Sequence, residues 1–254
     1  SVSSTMDDSI EEIVFDFYEK FLSGKKERKS KWKRSVEFVS GQVGEVLSKK
    51  YIEKHFPKKC KTKMLVIVTH LMKAYEKRIK NVDWMEKKTK KKALEKLKKI
   101  VVKIGYPDKF KDYTKLNISI EKSLLDNVLT INKFEYEDEM KFLYKKPDPL
   151  EWEMMAYEIN AYYHPLKNEI VFPAGILQPP FFSTTLSLAE IYGGIGAIIG
   201  HEITHGFDDQ GKKFDKDGNM IDWWTKVDEK KYDANAKKII EQFNNFKVNG
   251  INVN

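Results

Sequence analysis

The spacing of apolar residues in the first 104 residues most limits what this chain can fold into. Between residues 8 and 22 apolar side chains recur every three or four residues, and residues 32–49 and 64–79 repeat the pattern. This spacing places side chains on one face of an α-helix. We therefore predict that residues 1–104 form a helical region.

A further helix is predicted where lysines are most concentrated, over residues 87–99. Asp83 and Glu86 have the spacing of a capping box, and Ala93 and Leu97 begin one apolar face, which continues to residue 101. The chain has 46 Lys and Arg against 38 Asp and Glu, a net charge of +8. No aromatic residues or glycines interleave with these lysines to stack on bases. We interpret them as a solvated face and predict no nucleic-acid partner.

The composition changes after residue 150. Residues 159–163 and 169–172 are short and rich in aromatic and β-branched residues, and a turn at residues 165–168 separates them. This arrangement predicts a β-hairpin. The predicted fold is mainly α with a small β-sheet.

The cysteine content and the hydropathy of the chain exclude several structural features. Cys60 is the only cysteine, so an internal disulfide and a cysteine-based zinc site are excluded. The longest apolar run, residues 64–72, is too short to span a bilayer. We predict no transmembrane segment in this chain.

One short motif predicts a chemical function for the chain. Ser187 and Glu190 form a capping box that predicts a helix, and His201-Glu-Ile-Thr-His205 lies on it. Imidazoles at positions i and i+4 share one helix face and can coordinate one Zn²⁺. Glu202, on the adjacent side, can deprotonate a water molecule, as in zinc metalloproteases. The alternative is a pair of histidines on a helix surface by chance.

Glycines are unusually dense just before this motif, at Gly193, Gly194, Gly196 and Gly200. Each glycine weakens a helix by up to about 1 kcal/mol. We predict that they are there because the helix packs very close to its neighbours beneath an active site.

Several segments of the chain resemble the neprilysin family of zinc endopeptidases, which includes the endothelin-converting enzymes and the bacterial oligopeptidases called PepO. The segments are residues 160–163, 171–182, 192–196, 200–211, 213–218 and 222–224. Residues 84–85 and 104–109 look most like the bacterial branch. The resemblance implies a gluzincin, thermolysin-like catalytic region over residues 105–254, and places residues 1–104 in part of a helical lid domain.

The resemblance also implies roles for individual residues. His201 and His205 correspond to ligands of one catalytic Zn²⁺, and Glu202 to the general base. Asn160 and Ala161 correspond to the edge-strand pair that holds the backbone of a peptide substrate by main-chain hydrogen bonds.

Five further residues have roles for which two interpretations stay open. Ile176, Phe181, Ala197 and Ile198 fall where the family builds an apolar pocket for the residue after the scissile bond, but the sequence alone would make them core. Asp208 either orients a liganding imidazole or caps the next segment.

A catalytic zinc needs a third protein ligand. The resemblance implies the glutamate of a Glu-x-x-x-Asp motif on a later helix, which we expect beyond Asn254. Glu229 and Asp233 fit that spacing, but their lysine neighbours indicate a solvated helix face. We therefore expect an endopeptidase of small peptides that is inactive without a further C-terminal segment, supplied covalently or as a second chain. The alternative is an inactive fragment or non-catalytic relative that binds peptides or partners.

The cysteine content also bears on location. Animal members of the neprilysin family have disulfide-bonded ectodomains, whereas this chain has a single cysteine, Cys60. The sequence favours a soluble, bacterial-type enzyme of the cytoplasm or cell envelope.

Overall fold

A computed structural model describes residues 5–146 and 148–253. The α-helices of this part are α1 Asp8–Val14, α2 Lys31–His55, α3 Lys58–Asn81, α4 Lys87–Lys99, α5 Leu124–Met140, α6 Leu188–Gly193, α7 Ile195–His205 and α8 Lys226–Asn244. The strands are β1 Val101–Gly105, β2 Tyr162–His164, β3 Glu169–Pro173, β4 Lys247–Val248 and β5 Ile251–Asn252. The predicted fold, mainly α with a small β-sheet, is confirmed.

The described residues form two compact units, and each unit is built from two stretches of chain. One contains the chain up to Lys54 together with Pro107–Ala156, and the other contains His55–Tyr106 together with the chain from Tyr157 onward. The sequence predicts one boundary, after residue 104, whereas each of these units combines two separate stretches of chain. The assignment of a lid and a catalytic region stays a prediction.

The first unit contains α1, whose chain continues as a π-helix over Phe15–Phe21. The helix predicted over residues 8–22 is therefore present, but its winding changes after Val14. None of the helices in the described residues is long and apolar enough to cross a lipid bilayer.

A three-stranded sheet with the order β1-β3-β2 lies in the second unit. The predicted hairpin is confirmed: β2 pairs antiparallel with β3, and Tyr162 faces Val171. The strand β1 pairs parallel with β3 and corrects the sequence interpretation, which continued the preceding helix to residue 101. Two successive β-branched residues, Val101 and Val102, favour a strand there. The buried ion pair of Lys103 with Glu169, at 2.6 Å, further joins β1 to β3.

The apolar face of α7 fixes how this helix is rotated. Ile195, Ile199 and Ile203 are fully buried, and α7 contacts α3 and β2. Successive residues of an α-helix are rotated by about 100°, which places His201 and His205 on the side away from the isoleucines. Burial of the isoleucine face therefore presents both imidazoles on the open side of the helix.

Asp228 is a fully buried carboxylate that joins the starts of two helices. It accepts hydrogen bonds from the Glu86 amide at 2.7 Å and from the Thr89 hydroxyl, and it forms a capping box with Thr225 at the start of α8. The predicted Asp83–Glu86 capping box is wrong, because Glu86 is itself the N-cap of α4. The carboxylate that binds the start of α4 comes from a distant part of the sequence.

We predict that Asp228→Asn lowers the free energy of unfolding by about 2–3 kcal/mol at pH 7, because an amide cannot accept all these hydrogen bonds. Burial alone would raise the pKa of Asp228, but the bonds from Thr89, Thr225 and Glu86 outweigh it and lower the pKa. The stabilisation is therefore present above the pKa of the unfolded chain, about 3.9. It is lost as the pH falls through the lower folded pKa.

Urea denaturation at several pH values measures this effect. The control is Asp233→Asn, an exposed position on the same helix, and we expect it to change stability by less than about 0.5 kcal/mol. An Asp228→Asn variant as stable as the wild type at pH 7 would contradict the role given to this carboxylate.

Candidate active site

Two imidazoles converge on the open face of α7. The Nε2 atoms of His201 and His205 are 3.1 Å apart, and the ring planes are inclined by 82°. Two nitrogen ligands of a tetrahedral zinc ion, each at about 2.0–2.1 Å, are about 3.3 Å from one another. The two imidazole nitrogens therefore have the spacing that one shared metal ion requires.

Asp208 contacts the other ring nitrogen of His205, Nδ1, and holds it in place. Its Oδ2 atom lies 2.9 Å from His205 Nδ1, and its Oδ1 atom accepts hydrogen bonds from the amides of Gln210 and Gly211 at 3.0 and 2.7 Å. A carboxylate accepts the Nδ1 proton, which leaves Nε2 with a free lone pair toward His201. Asp208 therefore contacts the imidazole of His205 and also caps the next turn, and its role beside a metal ligand stays a prediction.

Glu202 lies between the apolar and the open face of α7, and its side chain is nearly buried. Burial raises the pKa of the Glu202 carboxyl group, opposed by the nearby imidazoles of His201 and His205 and by a hydrogen bond from the backbone amide of Tyr163. That amide belongs to the strand β2. The carboxylate is thus held by the sheet and lies beside both histidines.

A cavity of about 520 Å³ opens at this point. Six of the ten predicted site residues line it, namely Asn160, Ala161, His201, Glu202, His205 and Asp208. Asn160 and Ala161 lead into β2, which pairs with β3 on one side and is an edge strand of the sheet as far as the structure describes it. One cavity is therefore bordered by the edge of β2, the nearly buried Glu202 carboxylate and the two convergent imidazoles.

The other four predicted site residues do not line this cavity. Ile176 is buried, Phe181 and Ile198 are half-buried, and Ala197 is exposed. The carbonyl of Phe181 accepts a hydrogen bond from the amide of Ile195, so this segment lies against the start of α7. Their role as a pocket for a substrate side chain stays a prediction.

Glu229 does not complete a metal site. Its carboxylate pairs with the ammonium groups of Lys212 and Lys226. Over residues 5–146 and 148–253, no group of three or more His, Cys, Asp or Glu side chains is placed to hold a metal ion. The convergent pair of histidines is therefore a partial donor set.

Sequence models of peptidase family M13 match residues 1–107 and 160–254. The chain belongs to peptidase family M13. It is 38% identical to Neprilysin-11 of Caenorhabditis elegans over 96% of its own length and 29% of that protein.

Solved structures of two bacterial proteins resemble the chain. The zinc metalloprotease Zmp1 of Mycobacterium tuberculosis, in its open state, matches with 42% identity and a TM-score of 0.86, over 97% of this chain and 38% of Zmp1. PepO of Lactobacillus rhamnosis HN001 matches with 33% identity and a TM-score of 0.88, over 99% of this chain and 40% of PepO. The resemblance to the neprilysin family, including its bacterial branch, and the gluzincin fold class are confirmed. The chain spans roughly a third of the length of these M13 relatives.

Three residues that support the site in this M13 chain are not among those predicted from the sequence. Tyr163 lines the cavity, and its hydroxyl donates to Asn168 at 3.0 Å. Asn168 in turn donates to the carbonyl of Lys96, which is a buried lysine of α4. The helical register held a signal for Lys96, because it shares the i, i+3, i+4, i+7 face with Ala93, Leu97 and Ile100.

Of the four glycines, the close packing predicted from the sequence is found at Gly194 but not at Gly193 or Gly200, and a Cβ atom on Gly196 would make only ordinary contacts, at 3.4 Å or more. A Cβ atom on Gly194 would lie 2.7 Å from the carbonyl oxygen of Phe181, so close packing requires glycine there. A Cβ atom on Gly193 or Gly200 would meet nothing within 4 Å. Gly194 also ends α6 and precedes α7, so the single helix expected from residue 187 is two helices.

We predict opposite effects of alanine at two of these positions. Gly200→Ala lies inside α7 in open space and should raise the free energy of unfolding by up to about 1 kcal/mol, because alanine favours the helix. Gly194→Ala should lower it by about 1–3 kcal/mol, because its methyl group meets a backbone oxygen. Urea denaturation of the two variants measures both changes. Equal effects of the two substitutions would contradict this account of the glycines.

Proposed function

We propose that this protein is part of a zinc-dependent endopeptidase that hydrolyses small peptides, with Glu202 as the general base. One observation carries the proposal. The Nε2 atoms of His201 and His205 converge to 3.1 Å beside the nearly buried Glu202 carboxylate, in one cavity. Two imidazoles one helical turn apart that bind zinc, with an adjacent carboxylate as the general base, are the pattern of zinc metalloproteases.

Each residue of the cavity has a role in this proposal. His201 and His205 would hold a zinc ion, which would supply Lewis acidity to polarise a peptide carbonyl and to lower the pKa of water. Glu202 takes the proton of the attacking water and returns it to the leaving amine. Burial raises the pKa of Glu202, which makes it a stronger base. Asp208 holds His205 in the tautomer that can bind the metal.

The substrate is proposed to bind along the edge of β2. An extended peptide adds to an exposed strand edge through main-chain hydrogen bonds, and Asn160 and Ala161 lie where that edge meets the cavity. Ile176, Phe181, Ala197 and Ile198 are proposed to form the pocket for the residue after the scissile bond. A helical lid over the cleft, formed by the predicted helical region, would restrict substrates to small peptides.

The third zinc ligand is proposed to come from a segment outside these residues, joined covalently or as a second chain. Two observations support this: the described residues hold two converging imidazoles without a third ligand, and the matched relatives are about three times as long. The predicted location, cytoplasmic or cell-envelope, rests on the single cysteine, which is free and buried.

A protein that binds peptides without cleaving them is the second candidate. Its support is the same strand edge beside the cavity, which needs no metal to accept a peptide backbone. Glu202 distinguishes the two candidates, because peptide binding along a strand edge does not require a carboxylate buried beside two imidazoles.

We predict that Glu202→Gln, made in the complete gene product, keeps bound zinc but lowers peptide hydrolysis at least about a thousandfold, because the amide cannot accept the proton of water. Zinc content is measured by mass spectrometry and hydrolysis with a quenched fluorescent decapeptide. Glu241→Gln, an exposed position on α8, is the matched control. Full turnover in Glu202→Gln would remove Glu202 from the mechanism, and peptide binding without turnover in the wild type would favour the second candidate.

We predict that Asp208→Asn lowers zinc affinity by about 10- to 100-fold, the usual cost of losing a carboxylate that orients a liganding histidine. Asp209→Asn is the neighbouring control, because the Asp209 side chain is exposed and its carboxylate accepts from Gln210. Competition with a chromophoric chelator measures both affinities. Equal affinities of the two variants would show that the contact of Asp208 with His205 does not support metal binding.

A further inference from the structure

Lys96 is a lysine in a position that normally holds an apolar residue. Only 1% of its surface is exposed, and its neighbours on the same face of α4, Ala93 and Leu97, are buried core residues. Burying an ammonium group is strongly unfavourable unless the group is well paired. The contacts of the Lys96 ammonium group therefore indicate why a charged residue lies at this position.

The ammonium group of Lys96 binds the turn that follows the second histidine. Its Nζ atom donates hydrogen bonds to the carbonyls of Gly211 and Phe214, each at 2.7 Å. The rings of Tyr163 and Trp223 lie beside it, with centroids 5.7 and 5.6 Å from Nζ, in the range of cation–π contacts. Two carbonyls and two aromatic rings thus surround the buried charge.

A short series of contacts leads from this ammonium group to the imidazole of His205. Lys96 holds the carbonyl of Gly211, and the amide of the same glycine donates to Asp208 Oδ1 at 2.7 Å. The other oxygen of Asp208 lies 2.9 Å from His205 Nδ1. A Cβ atom on Gly211 would lie 2.1 Å from the carbonyl oxygen of His205, so the turn folds tightly back on the end of α7.

The charge of Lys96 supports the same arrangement. Burial lowers the pKa of Lys96 to about 8, against the nearby carboxylates of Asp208 and Asp215, which raise it. The group is therefore mostly charged at pH 7. A positive charge at this point attracts the carboxylate of Asp208 toward the turn, and an apolar side chain of equal length would lose that attraction together with both hydrogen bonds.

We propose that Lys96 is a positioning residue of the zinc site: by fixing the turn between His205 and Phe214, it holds Asp208 against His205 so that Nε2 is directed at the metal. This inference rests on the proposed function, because it requires His205 to be a zinc ligand. Lys96 lies more than 100 residues before the metal motif in the sequence. It extends the zinc site to the helix α4.

The test compares Lys96→Met with Lys92→Met in the complete gene product. Methionine keeps most of the length of lysine but removes the charge and the donors, and Lys92 is an exposed lysine of the same helix. Three quantities are measured: the zinc affinity by competition with a chromophoric chelator, the visible spectrum of the protein saturated with cobalt(II), and the melting temperature without metal.

We expect Lys96→Met to bind zinc about tenfold more weakly. We also expect it to show an altered cobalt spectrum at saturation, whereas Lys92→Met should match the wild type in both measurements. A purely structural role would lower the melting temperature but leave the cobalt spectrum of the saturated protein unchanged, and that result overturns the inference. If Lys96→Met does not fold, Lys96→Gln replaces it, with the same expected and contradicting results. A wild type that binds no zinc overturns the proposed function as well, so the two failures are distinguishable.

Discussion

Burial of the isoleucine face of α7 is the interaction on which the site depends. Ile195, Ile199 and Ile203 recur every four residues and are fully buried, which fixes the rotation of the helix about its axis. At about 100° per residue, the two histidines must then lie on the open side and Glu202 between the two sides. The same rotation therefore explains why the imidazoles are accessible and why the carboxylate is nearly buried. The proposed zinc site needs both, because its imidazoles would have to reach a metal ion and its carboxylate would have to be a stronger base than in water.

Polar contacts then set the orientation of the side chains that the apolar face of α7 positions. Asp208 accepts from Nδ1 of His205, and the Tyr163 amide holds Glu202, so backbone and carboxylate groups set the orientation of the reactive side chains. In its proposed role, the charged side chain of Lys96 holds the turn after His205 and thereby positions Asp208. The contacting residues Asp208, Tyr163 and Lys96 lie in separate parts of the second unit. The geometry of the cavity therefore depends on the whole unit being folded.

The sequence predicted features that local patterns encode. The hairpin, the capping box of Ser187 with Glu190 and the spacing of the two histidines depend on residues a few positions apart, and the structure contains all three. Features that depend on distant partners were missed or wrong. The carboxylate that binds the Glu86 amide at the start of α4 is Asp228, far along the chain, and β1 is a strand because it pairs with β3. Gly194 could not be distinguished from Gly200, since only the position of the Phe181 carbonyl separates them.

The claim that His201 and His205 share one zinc ion is tested most directly by X-ray absorption at the zinc edge of the zinc-loaded complete gene product. The account predicts outer-shell scattering from two imidazoles per zinc, with nitrogen ligands at about 2.0–2.1 Å. It also predicts one imidazole fewer in His205→Ala at a zinc concentration that saturates the variant. A zinc spectrum without imidazole scattering, or one that His205→Ala leaves unchanged, would contradict the account.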